Sequence, residues 1–107
     1  FTHTLQEILE LRLKASELNP NATVFYLVAN TYLKIAQSSN GTSHTTNLIR
    51  AKEYYEKALD CWDYSADAIT VSHMFGGYGD VYYLLASLEG FSNVETMNHA
   101  VILYEIS

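Results

Sequence analysis

Apolar residues recur at steps of three and four along most of the chain, which is the spacing that places them on one face of an α-helix. The clearest stripe comprises Phe25, Val28, Ala29, Tyr32 and Ala36. Alternation typical of β-strands is scarce, and the chain contains one proline. The pattern therefore predicts an all-α protein.

Five helical segments follow from this pattern, separated by turn-forming and polar residues. Asn19-Pro20-Asn21 ends the first one, because proline cannot continue a preceding helix but can open the next. The polar residues from Ser38 to Asn47 are predicted to form an exposed loop. Ser92 and Glu95 have the spacing of a capping box. The predicted helices run from about Leu5 to Leu18, Ala22 to Gln37, Thr46 to Asp60, Ser65 to Ser87 and Asn93 to Ile106.

An internal repeat relates two pairs of these helices. The second helix matches the fourth at a shift of fifty residues, and the third matches the fifth at a shift of forty-nine. Such self-similarity is typical of proteins built from stacked repeats. The matching positions are Phe25 and Phe75, Val28 and Tyr78, Ala29 and Gly79, Tyr32 and Tyr82, Ala36 and Ala86, Leu48 and Met97, Ala51 and Ala100, Tyr55 and Tyr104, and Ala58 and Ser107.

This pattern of an aromatic residue, a large-small pair and a tyrosine, followed by alanine, tyrosine and alanine in the next helix, resembles the tetratricopeptide repeat (TPR). The segment AKEYYEKALD, residues 51–60, is similar to the second helix of that repeat, and LKASELNPN, residues 13–21, is similar to its end. The family's units are helix-turn-helix pairs with a period of about 34 residues. The resemblance implies a right-handed stack of antiparallel helix pairs, an α-solenoid of about five helices.

The resemblance covers most of the chain and implies a single TPR-like domain. Relative to the family, the loops inside both repeats are expected to be about nine or ten residues longer, and Arg12 stands where the family has an aromatic residue. Repeat arrays need polar caps at their ends, so we expect a fragment of a longer array. Within the domain 1–107, the expected parts are the second helix of a partial repeat at 1–20, a repeat at 22–60 with a long loop at 38–46, and a repeat at 65–107 with a loop at 88–92.

The glycine-rich segment HMFGGYGDVYY, residues 73–83, raises the alternative of a phosphate-binding loop. Such a loop lies between a strand and a helix and carries either Lys-Ser/Thr or the dinucleotide spacing, and the segment has neither. In the repeat, Gly79 occupies the small position where the two helices of a pair approach closely. The segment is therefore predicted to be helical, with Gly76 and Gly77 on its other face.

Composition narrows the classes of partner. Charged residues are 17% and hydrophobic residues 49% of the chain, as in folded domains. Its net charge of -6 opposes nucleic-acid binding, and no apolar run reaches the roughly 18 residues of a membrane span. The single cysteine fits a cytoplasmic location, with a nuclear one left open, whereas glycosylation triplets at Asn21 and Asn40 fit secretion. We expect neither a nucleic-acid partner nor membrane association.

No arrangement of residues in the sequence predicts a catalytic or metal-binding site. The four histidines and Cys61 are scattered, without the i, i+4 histidine spacing or a CxxC motif that zinc sites use. Cys61 lies in no recognisable nucleophile motif and is expected to be a partly buried structural thiol. We therefore predict no catalytic residue, no metal and no cofactor, and a protein that is not an enzyme.

Tyrosine is abundant, with nine residues, and is a common residue of recognition surfaces. The resemblance assigns five of the nine to packing positions. The expected core tyrosines are Tyr32, Tyr55, Tyr78, Tyr82 and Tyr104, and the candidates for exposure are Tyr26, Tyr54, Tyr64 and Tyr83.

The resemblance implies a non-enzymatic scaffold or adaptor that binds a peptide or helix of a protein partner in a concave groove. Asn30 matches an asparagine that the family uses to hold a peptide backbone. Tyr26 and His73 stand where chaperone-binding members have lysines, so a carboxylate clamp is not expected. The implied groove residues are Thr23, Tyr26, Leu27, Asn30, Lys34, His73, Asp80 and Tyr83, with Gly76 and Gly77 between them.

The alternative function is structural. The last predicted helix is apolar nearly all round, with Val101, Ile102 and Ile106 as candidates for an association surface. On this hypothesis the chain forms a homo-oligomer through that helix, and the groove is incidental.

Overall fold

The structure is a computed structural model that describes residues 4–61, 68–88, 90 and 94–106. All the regular secondary structure of these residues is α-helical. The prediction of an all-α protein is confirmed, and the described residues form five helices, as predicted. The helices are α1 (Leu5–Leu18), α2 (Ala22–Gln37), α3 (Gly41–Cys61), α4 (Ala68–Leu88) and α5 (Val94–Ile106).

The bounds of α1 and α2 agree with the sequence pattern because both helices have polar N-caps. The Thr4 hydroxyl accepts a hydrogen bond from the Glu7 amide at 3.1 Å. The Asn21 side chain accepts one from the Val24 amide at 2.9 Å. Each cap satisfies a backbone donor that has no partner within the helix.

The predicted loop from Ser38 to Asn47, and with it the long loop at 38–46, is wrong. Helix α3 begins at Gly41, which leaves three residues between α2 and α3. The first turns of α3 are polar and largely exposed, so their composition looks like that of a loop. His44 Nδ1 donates to the Ala36 carbonyl oxygen at 2.6 Å, which ties the end of α2 to the start of α3. The residues that were predicted to lengthen the loop therefore lengthen helix α3 instead.

The other bounds lie close to the predicted ones. Helix α4 ends at Leu88, one residue beyond the predicted end, and α5 begins at Val94, one residue later than predicted. The predicted start of the fourth helix at Ser65, and Ser92 of the proposed capping box, lie outside the described residues.

The chain divides into two compact units, Phe1–Tyr64 and Ser65–Ser107. In the first unit α1 packs on α2, and α2 packs on α3. Helices α2 and α3 are antiparallel, since Ala36 meets His44 at one end of the pair and Phe25 meets Tyr54 at the other. The buried apolar residues of this unit are Leu9, Val28, Ala29, Leu33, Ala36, Leu48, Ala51, Tyr55 and Ala58.

A polar contact joins α1 to α2. Arg12 Nη1 donates to the Thr31 hydroxyl at 2.6 Å and to the Leu27 carbonyl oxygen at 3.2 Å. The buried Thr31 hydroxyl in turn donates to the Leu27 carbonyl at 2.8 Å. Arg12 therefore links the two helices through hydrogen bonds that involve a charged group, which are stronger than neutral ones.

In the second unit α4 packs on α5, and the two helices are antiparallel, since Asp80 meets Tyr104 and Tyr82 meets His99. A Cβ atom at Gly79 would lie 3.1 Å from Cδ1 and Cε1 of Tyr104 and 3.4 Å from the Leu103 Cβ. The predictions that residues 73–83 are helical and that Gly79 permits close packing are confirmed. The buried side chains of this unit include Met74, Tyr78, Val81, Ala86 and Ala100.

Candidate functional site

The predicted groove residues of the first unit form a strip along α2. Thr23 and Lys34 are exposed, and the other three members of the strip are half-buried. The Tyr26 ring lies 6.4 Å from the Tyr55 ring, which is buried. The remaining members of the strip are Leu27 and Asn30.

The predicted groove residues of the second unit lie on α4. His73 and Tyr83 are exposed, whereas Asp80 is half-buried. The Asp80 carboxylate accepts a hydrogen bond from the Tyr104 hydroxyl of α5, so it takes part in a surface contact between the two helices. Because these residues and those of α2 belong to different units, a common groove stays a prediction.

The prediction that Tyr104 is a core residue is wrong, because 40% of its surface is exposed. Its ring covers Gly79 at the edge of the helix pair. Desolvation raises the pKa of Tyr104 far above its usual value, and the hydrogen bond to the Asp80 carboxylate raises this pKa further. Tyr104 therefore links the two helices at the surface.

The other tyrosines follow the predictions in part. Tyr55 and Tyr78 are buried as predicted, and Tyr83 is exposed as predicted. Tyr64 lies outside the described residues. The half-buried tyrosines are Tyr26, Tyr32, Tyr54 and Tyr82.

An aromatic cleft of about 290 Å³ lies between α4 and α5. The Tyr78 and Tyr82 rings stack with their centroids 5.1 Å apart, and their hydroxyl oxygens lie 3.5 Å apart. The His99 ring meets the Tyr82 ring edge-on, also at 5.1 Å. Ring contacts of this kind hold side chains in fixed orientations. Ile102 and Leu103 complete the lining of the cleft.

Helix α5 carries exposed aliphatic side chains, one of which lines this cleft. Ile102, which lines it, is 52% exposed, and Val94 and Val101 on the same helix are also exposed. These positions include two of the three candidates for an association surface. The side chain of the third, Ile106, lies outside the described part of the structure.

The corresponding face of the first unit is charged. There the Tyr32 ring stacks on the Tyr54 ring at 5.7 Å, and the Lys57 Nζ lies 4.5 Å from the Tyr54 centroid. Arg50 and Glu53 beside them are exposed and 3.9 Å apart. At the shift of forty-nine residues, the sequence replaces Arg50, Glu53, Tyr54 and Lys57 of α3 by His99, Ile102, Leu103 and Ile106 of α5.

Charged residues, like exposed apolar residues, are distributed unevenly between the two units. All six lysine and arginine residues lie within residues 1–64, whereas residues 65–107 contain five acidic residues and no lysine or arginine. Two of these acids, Glu95 and Glu105, are exposed on α5. Glu95 lies about two turns before Ile102, and Glu105 lies about one turn after it. The apolar cleft is therefore flanked by negative charge.

Sequence reasoning did not identify the cleft as a site. Tyr78 and Tyr82 had been assigned to the core, and neither His99 nor Leu103 was among the candidates. The signal lay in the comparison of the repeats, where apolar residues replace charged ones at positions that face solvent in α3.

The described residues form no obvious chemical centre. Among them, no three histidine, cysteine, aspartate or glutamate side chains come together as a metal-binding group. Cys61 is exposed, contrary to the partly buried thiol that we expected, because it is the final residue of α3. None of the described helices combines the length and the apolar character that crossing a bilayer demands.

In comparisons with known proteins, no protein-family model, no curated protein and no solved structure matches the chain.

Proposed function

We propose that this chain is a non-enzymatic protein-interaction module of TPR-like helix pairs, with a scaffold or adaptor role. The observation that carries the proposal is the aromatic cleft between α4 and α5, whose lining includes the half-exposed Ile102. Aromatic and aliphatic anchors around a pocket are typical of the centres of protein interfaces.

The cleft suits a helical or extended segment of a partner. Helices α4 and α5 run antiparallel and leave a groove between their outer faces, into which a third helix can place its apolar side chains. The half-exposed Ile102 side chain would be buried by such a segment, and burial of apolar surface is the main driving force for association.

The repeated pairs support the TPR-like part of the proposal. Ala29 in α2 and Gly79 in α4 are both buried at matching small positions, and Gly79 permits the close approach expected there. In a right-handed stack, the strip from Thr23 to Lys34 would form a second binding surface, in which Asn30 contacts a peptide backbone.

Self-association through α5 is the second candidate function, and the exposed Val101 and Ile102 favour it. A symmetric contact, however, would bring together two copies of a unit that carries five acidic residues and no lysine or arginine. Like charges across an interface oppose association. Binding to a different protein therefore ranks first.

A selection of helical peptides against the chain tests the proposal. Peptides that bind should lose about tenfold or more in affinity for Ile102→Glu, because a carboxylate cannot be buried in the cleft without a partner. The matched control is Ile49→Glu on α3, since Ile49 is 46% exposed and lies in the other unit. Affinities would be measured by fluorescence anisotropy, with circular dichroism to show that both variants are folded.

Two outcomes would contradict the proposal. Equal binding of the selected peptides to wild type and Ile102→Glu would remove the cleft as the site. A concentration-dependent dimer in sedimentation equilibrium that Ile102→Glu dissolves would favour the self-association function instead.

A further inference from the structure

We infer that the partner of the α4–α5 cleft is a cationic amphipathic helix, with an apolar stripe that enters the cleft and lysine or arginine residues at both ends of that stripe. This inference rests on the proposed function and adds the chemistry of the partner.

The positions of the acidic residues on α5 define the length of the partner's stripe. Glu95 and Glu105 are both exposed and lie on either side of Ile102. Ten residues of helix span about 15 Å. A partner helix aligned with α5 can thus pair a cation with each carboxylate if its own cations are about ten or eleven residues apart, with the apolar stripe between them.

The charge of the unit requires that these cations come from outside it. Residues 65–107 contain no lysine or arginine. In the first unit, by contrast, α3 supplies its own cations on the matching face, where Arg50 lies near Glu53 and Lys57 lies over the Tyr54 ring. The matching surface of the second unit has acidic and aromatic residues but no lysine or arginine.

The tyrosines of the cleft offer a further contact for a cation. A lysine or arginine placed over an aromatic ring is attracted by the negative face of that ring. Lys57 and Tyr54 show this arrangement inside the first unit at 4.5 Å. A basic residue of a partner helix that enters the cleft would lie near the tyrosine rings that line it, those of Tyr78 and Tyr82.

Other occupants fit the charge less well. An acidic peptide or a nucleic acid would bring negative charge against Glu95 and Glu105. A second copy of this unit would do the same. Only a basic partner satisfies both the apolar cleft and its acidic flanks.

Two designed helical peptides test the inference. They share one apolar stripe and differ only in their flanking residues, which are lysine in one and glutamate in the other. We expect the lysine peptide to bind about tenfold tighter than the glutamate peptide at about 0.05 M salt, and this difference to shrink at about 0.5 M salt. Fluorescence anisotropy measures both affinities on the full chain.

Neutralising the acidic flanks should weaken only the lysine peptide. Glu95→Gln and Glu105→Gln are each expected to reduce its affinity about two- to fivefold, since both carboxylates are exposed. The matched control removes two exposed carboxylates of α1, Glu10→Gln and Glu17→Gln, and should leave binding unchanged. A loss of the same size in this control would mean non-specific attraction and overturn the inference.

The outcomes separate this inference from the proposed function. If both peptides bind with equal affinity and both are released by Ile102→Glu, the cleft binds helices without regard to charge, and only the inference fails. If neither peptide shows binding that depends on Ile102, the proposed function fails as well.

Discussion

In the α2–α3 pair, Lys57 lies over the Tyr54 ring and Arg50 faces Glu53, whereas the same face of the α4–α5 pair is an aromatic cleft beside Ile102. The packing positions of the two pairs are nevertheless alike. Buried small residues occupy matching sites in both, namely Ala29 and Gly79, Ala36 and Ala86, and Ala51 and Ala100. The repeat pattern thus determines how the helices pack, while the outward residues determine which surface is available to a partner.

The two pairs also differ at the tyrosine of their second helices. Tyr55 is fully buried in the three-helix unit, but Tyr104 is 40% exposed at the edge of a unit whose described part contains two helices. The same residue type at matching positions therefore serves as core in one pair and as a surface link to Asp80 in the other.

Replacing Tyr55 and Tyr104 by alanine should give the largest difference in stability between the two pairs. Tyr55→Ala should lower the free energy of unfolding by about 3 to 5 kcal/mol, because it leaves a cavity in the core. Tyr104→Ala should cost about 1 kcal/mol, since the ring is partly exposed and the released Asp80 carboxylate can be hydrated. Urea denaturation followed by circular dichroism measures both, and equal losses would show that the two positions are equally packed.

Gly79→Ala tests the close approach in the second pair, with a smaller expected effect. Alanine is favoured over glycine inside a helix by about 1 kcal/mol, but its Cβ would lie 3.1 Å from the Tyr104 ring. We expect a net loss of about 1 kcal/mol in wild type. In a Tyr104→Ala background the same change should stabilise the protein by about 0.5 to 1 kcal/mol. Destabilisation in both backgrounds would show that contacts other than the Tyr104 ring limit the approach.

The sequence predicted the helices and much of their packing. Apolar periodicity and the Asn19-Pro20-Asn21 break predicted α1 and α2 at the bounds that the structure shows. The start of α3 could not be read in this way. A polar turn of a solvated helix has the composition of a loop, and Gly41, the first helical residue, is itself a turn former.

The site was harder to predict than the fold. The resemblance to a repeat family directs attention to one face of each first helix, whereas the cleft lies between α4 and α5 and uses Ile102 and Leu103 of the second. The burial of a tyrosine such as Tyr104 depends on what covers its helix, and the repeat pattern does not contain that information. The exchange of charged for apolar residues between the repeats was visible in the sequence and marks the cleft.

The smallest expected effect concerns Lys57, which covers the aromatic face of the first pair. A lysine over an aromatic ring at an exposed site contributes about 0.5 to 1 kcal/mol, so Lys57→Gln should lower the free energy of unfolding by about 0.5 kcal/mol. Lys14→Gln on α1 is the control, because Lys14 is also exposed on a helix and is expected to cost less.

A double-mutant cycle with Tyr54→Leu, which places the residue of α5 at this position of α3, isolates the contact between lysine and ring. The cost of Lys57→Gln should disappear in that background, because leucine has no ring face for the ammonium group. If the cost persists, Lys57 acts through the net charge of α3, and the aromatic face of the first pair is not closed by its own lysine. The contrast with the cleft of the second pair would then lie in the other charged residues of this face, Arg50 and Glu53, which His99 and Ile102 replace.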